Sequence, residues 1–245
     1  MEQYEVICIG TGEIGKPLYE LFNGVYKTLP IDPVRFSENT SIQAKCDYLH
    51  ICIPGALNNF SDVVSDYIEK YKPHTVCIHS TVPPGTTRGI GLFVDAIVIH
   101  TPVHGKHRGN SMKKDMLRYP KYLGVPEGLP DHDIKIIVEH FSRVGFYDIR
   151  PFRKPETTEW LKVLSTTYFG LQIAWAQEVE RICNKFNLDY NEVSDFFSIQ
   201  EDAKTPAWPG VIKGHCVMPN IDIIQEVYDS IAADFIRKSN DLKEK

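Results

Sequence analysis

The first hundred residues set their apolar side chains in short runs rather than at helical spacing. YEVICIG is a β-branched run that stops at Gly10, as a strand covered on both faces does. KTLPID, CDYLHICIP, HTVCIHS and AIVIHTP repeat the pattern, with helix-spaced stretches such as KPLYELF and SDVVSDYIEKY between several of them. Ser61 is the expected cap of the second stretch. This alternation predicts an α/β protein with a doubly wound parallel sheet. From Pro155 to Phe186 only Gly170 interrupts a helical pattern, giving one long helix of roughly 45–50 Å. Its stripe of Leu161, Leu164, Tyr168, Leu171 and Trp175 calls for a surface larger than its own domain. Further helices are expected at about 191–199 and 223–237, before the charged tail KSNDLKEK. The chain thus divides into an α/β domain at 1–152 and a helical domain at 153–245.

The first strand runs directly into Gly10-Thr11-Gly12-Glu13-Ile14-Gly15 and a helix, and Asp32 ends the next strand about twenty residues later. Glycines there let the backbone approach a pyrophosphate, and the helix N-terminus supplies N–H groups and a positive dipole end. A carboxylate at Asp32 accepts ribose hydroxyls and repels a 2′-phosphate, so the expected cofactor is NAD, although Arg35 stands close by. The first domain is therefore expected to be of Rossmann type. The nucleotide-binding set comprises Gly10, Thr11, Gly12, Glu13, Ile14 and Asp32, with Ile53, Pro54, Ser80 and Thr81 from the following strand ends. A glycine turn without a nucleotide is the bland alternative.

Composition narrows the function classes. A chain of 245 residues with 42% hydrophobic residues, 24% charged residues and a net charge of -5 is an ordinary globular protein without a basic surface for nucleic acid. It has no run of membrane-span length, and its N-terminus lacks the basic region of a secretory signal. Six cysteines at positions 8, 46, 52, 77, 183 and 216 form no CxxC, which fits a reducing cytoplasm. His100, His104 and His107 cluster without completing a ligand set, so no metal is expected. Cys216 stands apart in PGVIKGHCVMPNID, where Gly214 and His215 offer a polar, accessible setting for a nucleophilic thiolate.

Three blocks in order carry a family resemblance. His79-Ser80-Thr81-Val82-Pro83-Pro84-Gly85-Thr86-Thr87 closes a strand, Thr158-Glu159-Trp160-Leu161-Lys162 opens the long helix, and the cysteine block follows. Together they resemble the UDP-glucose/GDP-mannose dehydrogenase family, with STVPPGTT-like, helix-lysine and GGHCxPxD-like text. The resemblance implies oxidation of a sugar-nucleotide alcohol to a carboxylate in two NAD-dependent steps, through a cysteine thiohemiacetal and thioester. Cys216 matches the cysteine, Lys162 the lysine that stabilises charge on oxygen, and Thr81 the threonine that helps hold water. It also implies a homodimer built on the long helix, and it leaves no chain for the family's nucleotide-clamping second Rossmann-like domain.

The departures fall in the chemistry. Thr166 stands where the family has asparagine, Asn220 where it has aspartate, and Asp222 lies two positions too far. Val103 stands where it has glutamate, leaving His104 as the nearest substitute base. The catalytic set is thus Cys216, Lys162, Thr81, Asn220 and Thr166. Two alternatives stay open: a two-electron dehydrogenase of the 3-hydroxyacid/6-phosphogluconate type, and a catalytically weakened NAD-binding protein.

Overall fold

The computed structural model describes residues 1–105, 112–198, 208–213 and 216–244. The chain forms two compact units, Met1–Leu161 and Lys162–Lys245, whose boundary falls inside the long helix.

Unit 1 is a seven-stranded Rossmann-type sheet in the order β2-β1-β3-β4-β5-β6-β7. The strands are β1 (Glu2–Ile9), β2 (Thr28–Ile31), β3 (Ala44–Ile51), β4 (Thr75–Ile78), β5 (Ile97–His100), β6 (Lys121–Gly124) and β7 (Ile149–Phe152). All pairings are parallel except β5 with β6, which meet antiparallel at His100 and Gly124. The first five strands lie where the apolar runs predict them. Because side chains alternate along a strand, β1 sends Val6 and Cys8 to one face and Ile7 and Ile9 to the other. The first face packs on α1 (Gly15–Phe22), α4 (Met112–Arg118) and α5 (Asp131–Arg143) through Leu18, Phe22, Met116, Ile137 and Phe141. The second packs on α2 (Phe60–Tyr71) and α3 (Thr86–Gly91) through Val64, Ile68 and Ile90. Ser61 is not the cap of α2: the cap is Asn59, two residues earlier, and the helix starts at Phe60.

The chain passes from β1 to β2 on one side and to β3 on the other. The carboxyl ends of β1 and β3 therefore flank a topological switch point, where open α/β sheets bind ligands. Gly10, Asp32, Ile53 and Ser80 all follow carboxyl ends of strands there.

The long helix α6 spans Pro155–Phe186, 32 residues, as the pattern predicts. Within unit 2 its later turns pack against α8 (Val217–Val227) and α9 (Ile231–Glu244), around Ala174, Ile212, Val217, Ile221, Ala233 and Ile236. Gly170 permits this approach, since a Cβ there would lie 2.7 Å from Val217 and 3.3 Å from Ile236. Ser239 Oγ donates to Gln177 at 2.8 Å, and Asn240 accepts the Ile212 N–H at 2.7 Å, so the buried polar groups of α9 are matched. The α7 helix spans Tyr190–Ser198. The expected helix over 223–237 is in fact two, broken at 228–230, where Ser230 Oγ accepts the Ala233 N–H and starts α9. The charged tail continues α9 rather than leaving it. Among the described residues no helix is long and apolar enough to cross a membrane.

Candidate active site

The glycine turn has the shape its sequence requires. Gly10 adopts φ +84°, and a Cβ there would sit 2.7 Å from the Cys52 carbonyl oxygen. A Cβ on Gly15 would collide with the Gly10 carbonyl at 1.8 Å, so α1 packs against its own entry turn. Gly12 has open space where its side chain would be. A phosphate can approach the backbone there, and the residues present fit a dinucleotide.

Asp32 lies against this turn, 7% exposed. Its Oδ2 accepts the Thr11 N–H and the Thr11 hydroxyl, both at 2.8 Å, while Oδ1 accepts the N–H groups of Val34 at 2.9 Å and Arg35 at 3.1 Å. Burial opposes its ionisation, but these four donors outweigh it and hold the carboxyl down at about 2. Arg35 donates to the Thr11 carbonyl at 2.8 Å. Ile53 and Ser80 are tied together, with Ser80 Oγ donating to the Ile53 carbonyl at 2.6 Å. Pro54 leads into Gly55, where a Cβ would strike the Thr81 carbonyl oxygen at 1.8 Å. Glu13 and Ile14 precede α1. The expected cofactor set thus belongs to unit 1 and surrounds the switch point.

The turn after β4 is fixed by a residue that sequence reasoning passed over. Glu159 is fully buried at the start of α6. Its carboxylate accepts the Gly85 N–H at 2.6 Å, the Thr87 N–H at 2.9 Å and the Thr87 hydroxyl at 2.6 Å. Burial raises its pKa, and the three donors oppose that rise. Beside it, the His100 ring bonds the Thr158 hydroxyl at 2.8 Å and donates from Nε2 to the Ser80 carbonyl at 3.1 Å. His100 is therefore part of this brace. His104 packs edge-on to Tyr122, and His107 lies outside the described residues. Val103 is buried in the core face shared with α1, α4 and α5.

A row of buried imidazoles runs beneath the same turn. The Lys121 amine donates to the carbonyls of Thr101 at 3.0 Å and Pro102 at 3.2 Å, and its third proton points to His79 Nδ1 at 3.4 Å. His79 Nε2 then meets His50 Nδ1 at 2.9 Å, and His50 Nε2 meets His140 Nε2 at 3.0 Å. Each shared contact holds one proton, so the tautomers of the three rings are linked. The row ends at His140 Nδ1, which has no hydrogen-bond partner. Burial pushes all three imidazoles well below their ordinary range, His140 to about 3.

Unit 2 brings together the remaining chemistry. Lys162 and Thr166 stand one turn apart on α6, and the Thr166 hydroxyl donates to the Lys162 carbonyl at 2.7 Å. Asn220, buried on α8, donates from Nδ2 to the same hydroxyl at 2.6 Å. The two departures from the family text therefore meet each other. Cys216 is the N-cap of α8. Burial lowers the Lys162 pKa, and the charge of nearby Cys216 works against that fall. Gly214 and His215 lie outside the described residues, and Thr81 belongs to unit 1.

Residues 156–241 match the model of the UDP-glucose/GDP-mannose dehydrogenase family, central domain. Over 99% of its length the chain is 26% identical to the UDP-N-acetyl-D-mannosamine dehydrogenase of Methanococcus vannielii, and it spans 60% of that relative. The solved UDP-D-ManNAc dehydrogenase of Pyrococcus horikoshii superposes with a TM-score of 0.80 at 17% identity, covering 98% of this chain and 68% of that one. A UDP-glucose dehydrogenase from Pyrobaculum islandicum gives 0.76 at 16% identity, with 98% and 68% covered. These structural likenesses carry the fold, and the family match extends over residues 156–241, which resemble the central domain of the UDP-glucose/GDP-mannose dehydrogenase family.

Proposed function

We propose that this protein is an NAD-dependent dehydrogenase that oxidises a hydroxyl group of a sugar-nucleotide-type substrate, with Lys162 and Cys216 at the reacting carbon. The observation that carries the reading is the half-buried Lys162 on α6 interacting with the cysteine that caps α8. Bound NAD supplies the hydride acceptor for the carbinol carbon. Gly10, Thr11, Gly12, Glu13, Ile14 and Asp32 hold its adenosine and pyrophosphate half, with Ile53, Pro54, Ser80 and Thr81 along the neighbouring strand ends. The Lys162 amine, its pKa drawn down by burial, exchanges a proton with the substrate oxygen and holds the charge that develops there. For a second oxidation, the Cys216 thiolate forms a C–S bond to the aldehyde carbon as the carbonyl pair moves to oxygen. Loss of hydride to a second molecule of NAD would then leave a thioester, which water cleaves to release the acid and the thiolate.

A second reading stops at the carbonyl. Thr166 and Asn220 are hydrogen-bonded to each other and Val103 fills the core, so the three altered positions offer no carboxylate base for thioester hydrolysis. Incubation with NAD and UDP-N-acetylmannosamine or UDP-glucose separates the readings. Two NADH per substrate supports the double oxidation and one supports the carbonyl product. No turnover across a panel of sugar nucleotides and hydroxyacids would leave a binding protein.

The reading extends to a homodimer. In the single chain, Leu164, Tyr168, Trp175 and Phe186 of α6 are more than half exposed. Such a row on one helix suits burial by a second copy. Light scattering should give twice the 28.0 kDa chain mass; a 28.0 kDa particle at micromolar concentration refutes the dimer.

A further inference from the structure

A carboxylate offers about four acceptor directions, two on each oxygen. At Asp32 the chain itself fills all four, with the backbone N–H groups of Thr11, Val34 and Arg35 and the Thr11 hydroxyl. The ribose of a dinucleotide needs one of these places. Three of the donors are main-chain groups fixed by the glycine turn and by the turn after β2. Only the Thr11 hydroxyl hangs on a rotatable side-chain bond. A second tie, from Arg35 Nη1 to the Thr11 carbonyl, closes the same two loops over each other. Thr11 itself is 2% exposed, so its hydroxyl has no competing bond to water in this arrangement.

We propose that Thr11 is a specificity- and affinity-setting residue whose side-chain hydroxyl occupies the Asp32 acceptor place of the adenosine ribose, so that dinucleotide binds by exchange with it. The proposal rests on the dinucleotide reading above. Its consequence is that the closed contact lowers apparent affinity by the fraction of molecules in which it is open. For one net hydrogen bond to a charged acceptor, that is a factor of about ten or more.

Thr11→Val keeps the branched shape and removes the hydroxyl, whereas Thr11→Ser keeps the hydroxyl and removes the methyl. NADH and ADP-ribose are titrated against all three proteins by fluorescence and calorimetry, with nicotinamide mononucleotide as the probe lacking the adenosine half. Thr11→Val should tighten NADH and ADP-ribose about tenfold or more, Thr11→Ser should stay near the parent, and the mononucleotide should not respond. Unchanged or weaker NADH binding by Thr11→Val, with a melting temperature within a few degrees of the parent, overturns the proposal. An equal gain from Thr11→Ser does so as well, since the methyl would then be the cause. If Thr11→Val does not fold, Thr11→Ala replaces it and the same gain is required. Absence of any NADH or ADP-ribose binding by every form, the parent included, is a different result: it removes the dinucleotide reading itself, and this proposal with it.

Discussion

The buried imidazole row makes unit 1 acid-labile in a calculable way. His50, His79 and His140 are each at most 4% exposed, and burial holds all three neutral in the fold. The charged and titratable groups facing them add to the effect or leave it unopposed. Lys121 on β6 disfavours protonation of His50 and His79, and Arg143 on α5 disfavours it at His140. Tyr48 on β3 stacks on the His140 ring at 3.5 Å, and Phe22 of α1 lies against both His50 and His140. In the unfolded chain these imidazoles take up protons below pH ~6.5. In the fold His140 resists until about 3, and the other two also resist well below their ordinary range. The unfolded state therefore binds more protons throughout this window. Stability is fully present above the unfolded value and is lost as pH falls through it. Each histidine costs about 2 kcal/mol at pH 5, so the three together cost about 6 kcal/mol, against a total stability of about 5–15 kcal/mol.

The assay is urea unfolding at half-unit steps from pH 8 to pH 5. The free energy should be flat near pH 8 and then fall with a slope approaching about 4 kcal/mol per pH unit, as three protons are taken up on unfolding. His140→Phe keeps a ring in the stack and removes one titrating group. Whatever it does to stability at pH 8, the acid slope should drop to about two thirds of the parent value. A free energy that is level between pH 7 and pH 5, or a slope unmoved by His140→Phe, would refute the reasoning.

Three further outcomes follow from single contacts. Glu159→Ala leaves the Gly85 N–H and both Thr87 donors without their acceptor, and should cost about 2–4 kcal/mol by urea unfolding. Gly170→Val drives a side chain into Val217 and Ile236, and should lower stability by about 1–3 kcal/mol or loosen unit 2 as seen by hydrogen exchange. Slow alkylation with peptide mapping should label Cys216 first, since Cys8, Cys46, Cys77 and Cys183 are buried. Labelling of Cys46 at an equal rate would remove the thioester route.

Much of unit 1 is legible in the chain because its first five strands are covered on both faces and write themselves as apolar runs. The last two are not. KYLG carries the inward-pointing Lys121, and IRPF places arginine and proline on the sheet edge, so neither shows alternation. The glycine turn was readable because backbone geometry demands glycine at fixed spacing. Glu159 was harder to see: nothing local distinguishes a carboxylate that turns inward to a distant loop from one on a solvated helix face. The same holds for His79 and His50, polar residues at strand ends whose burial depends on Lys121 and His140 arriving from 42 and 90 residues away in sequence.

Thr166, Asn220 and Val103, which the sequence reading takes as altered catalytic positions, gain meaning from how they are satisfied. A site that had merely lost its function would be expected to strand a donor or acceptor where a partner changed, at a cost that selection had ceased to remove. Thr166 and Asn220 do the opposite. The threonine hydroxyl gives its proton to the Lys162 carbonyl and takes one from Asn220, so the two side chains are joined in a chain of uncharged hydrogen bonds. Val103 likewise packs into an apolar core, where a glutamate would need a counter-charge. On the proposed reading, Lys162 and Cys216 are the ionisable partners left at the reacting carbon. Chemistry that relies on an amine and a thiol, and asks little of a carboxylate, is what such an arrangement favours.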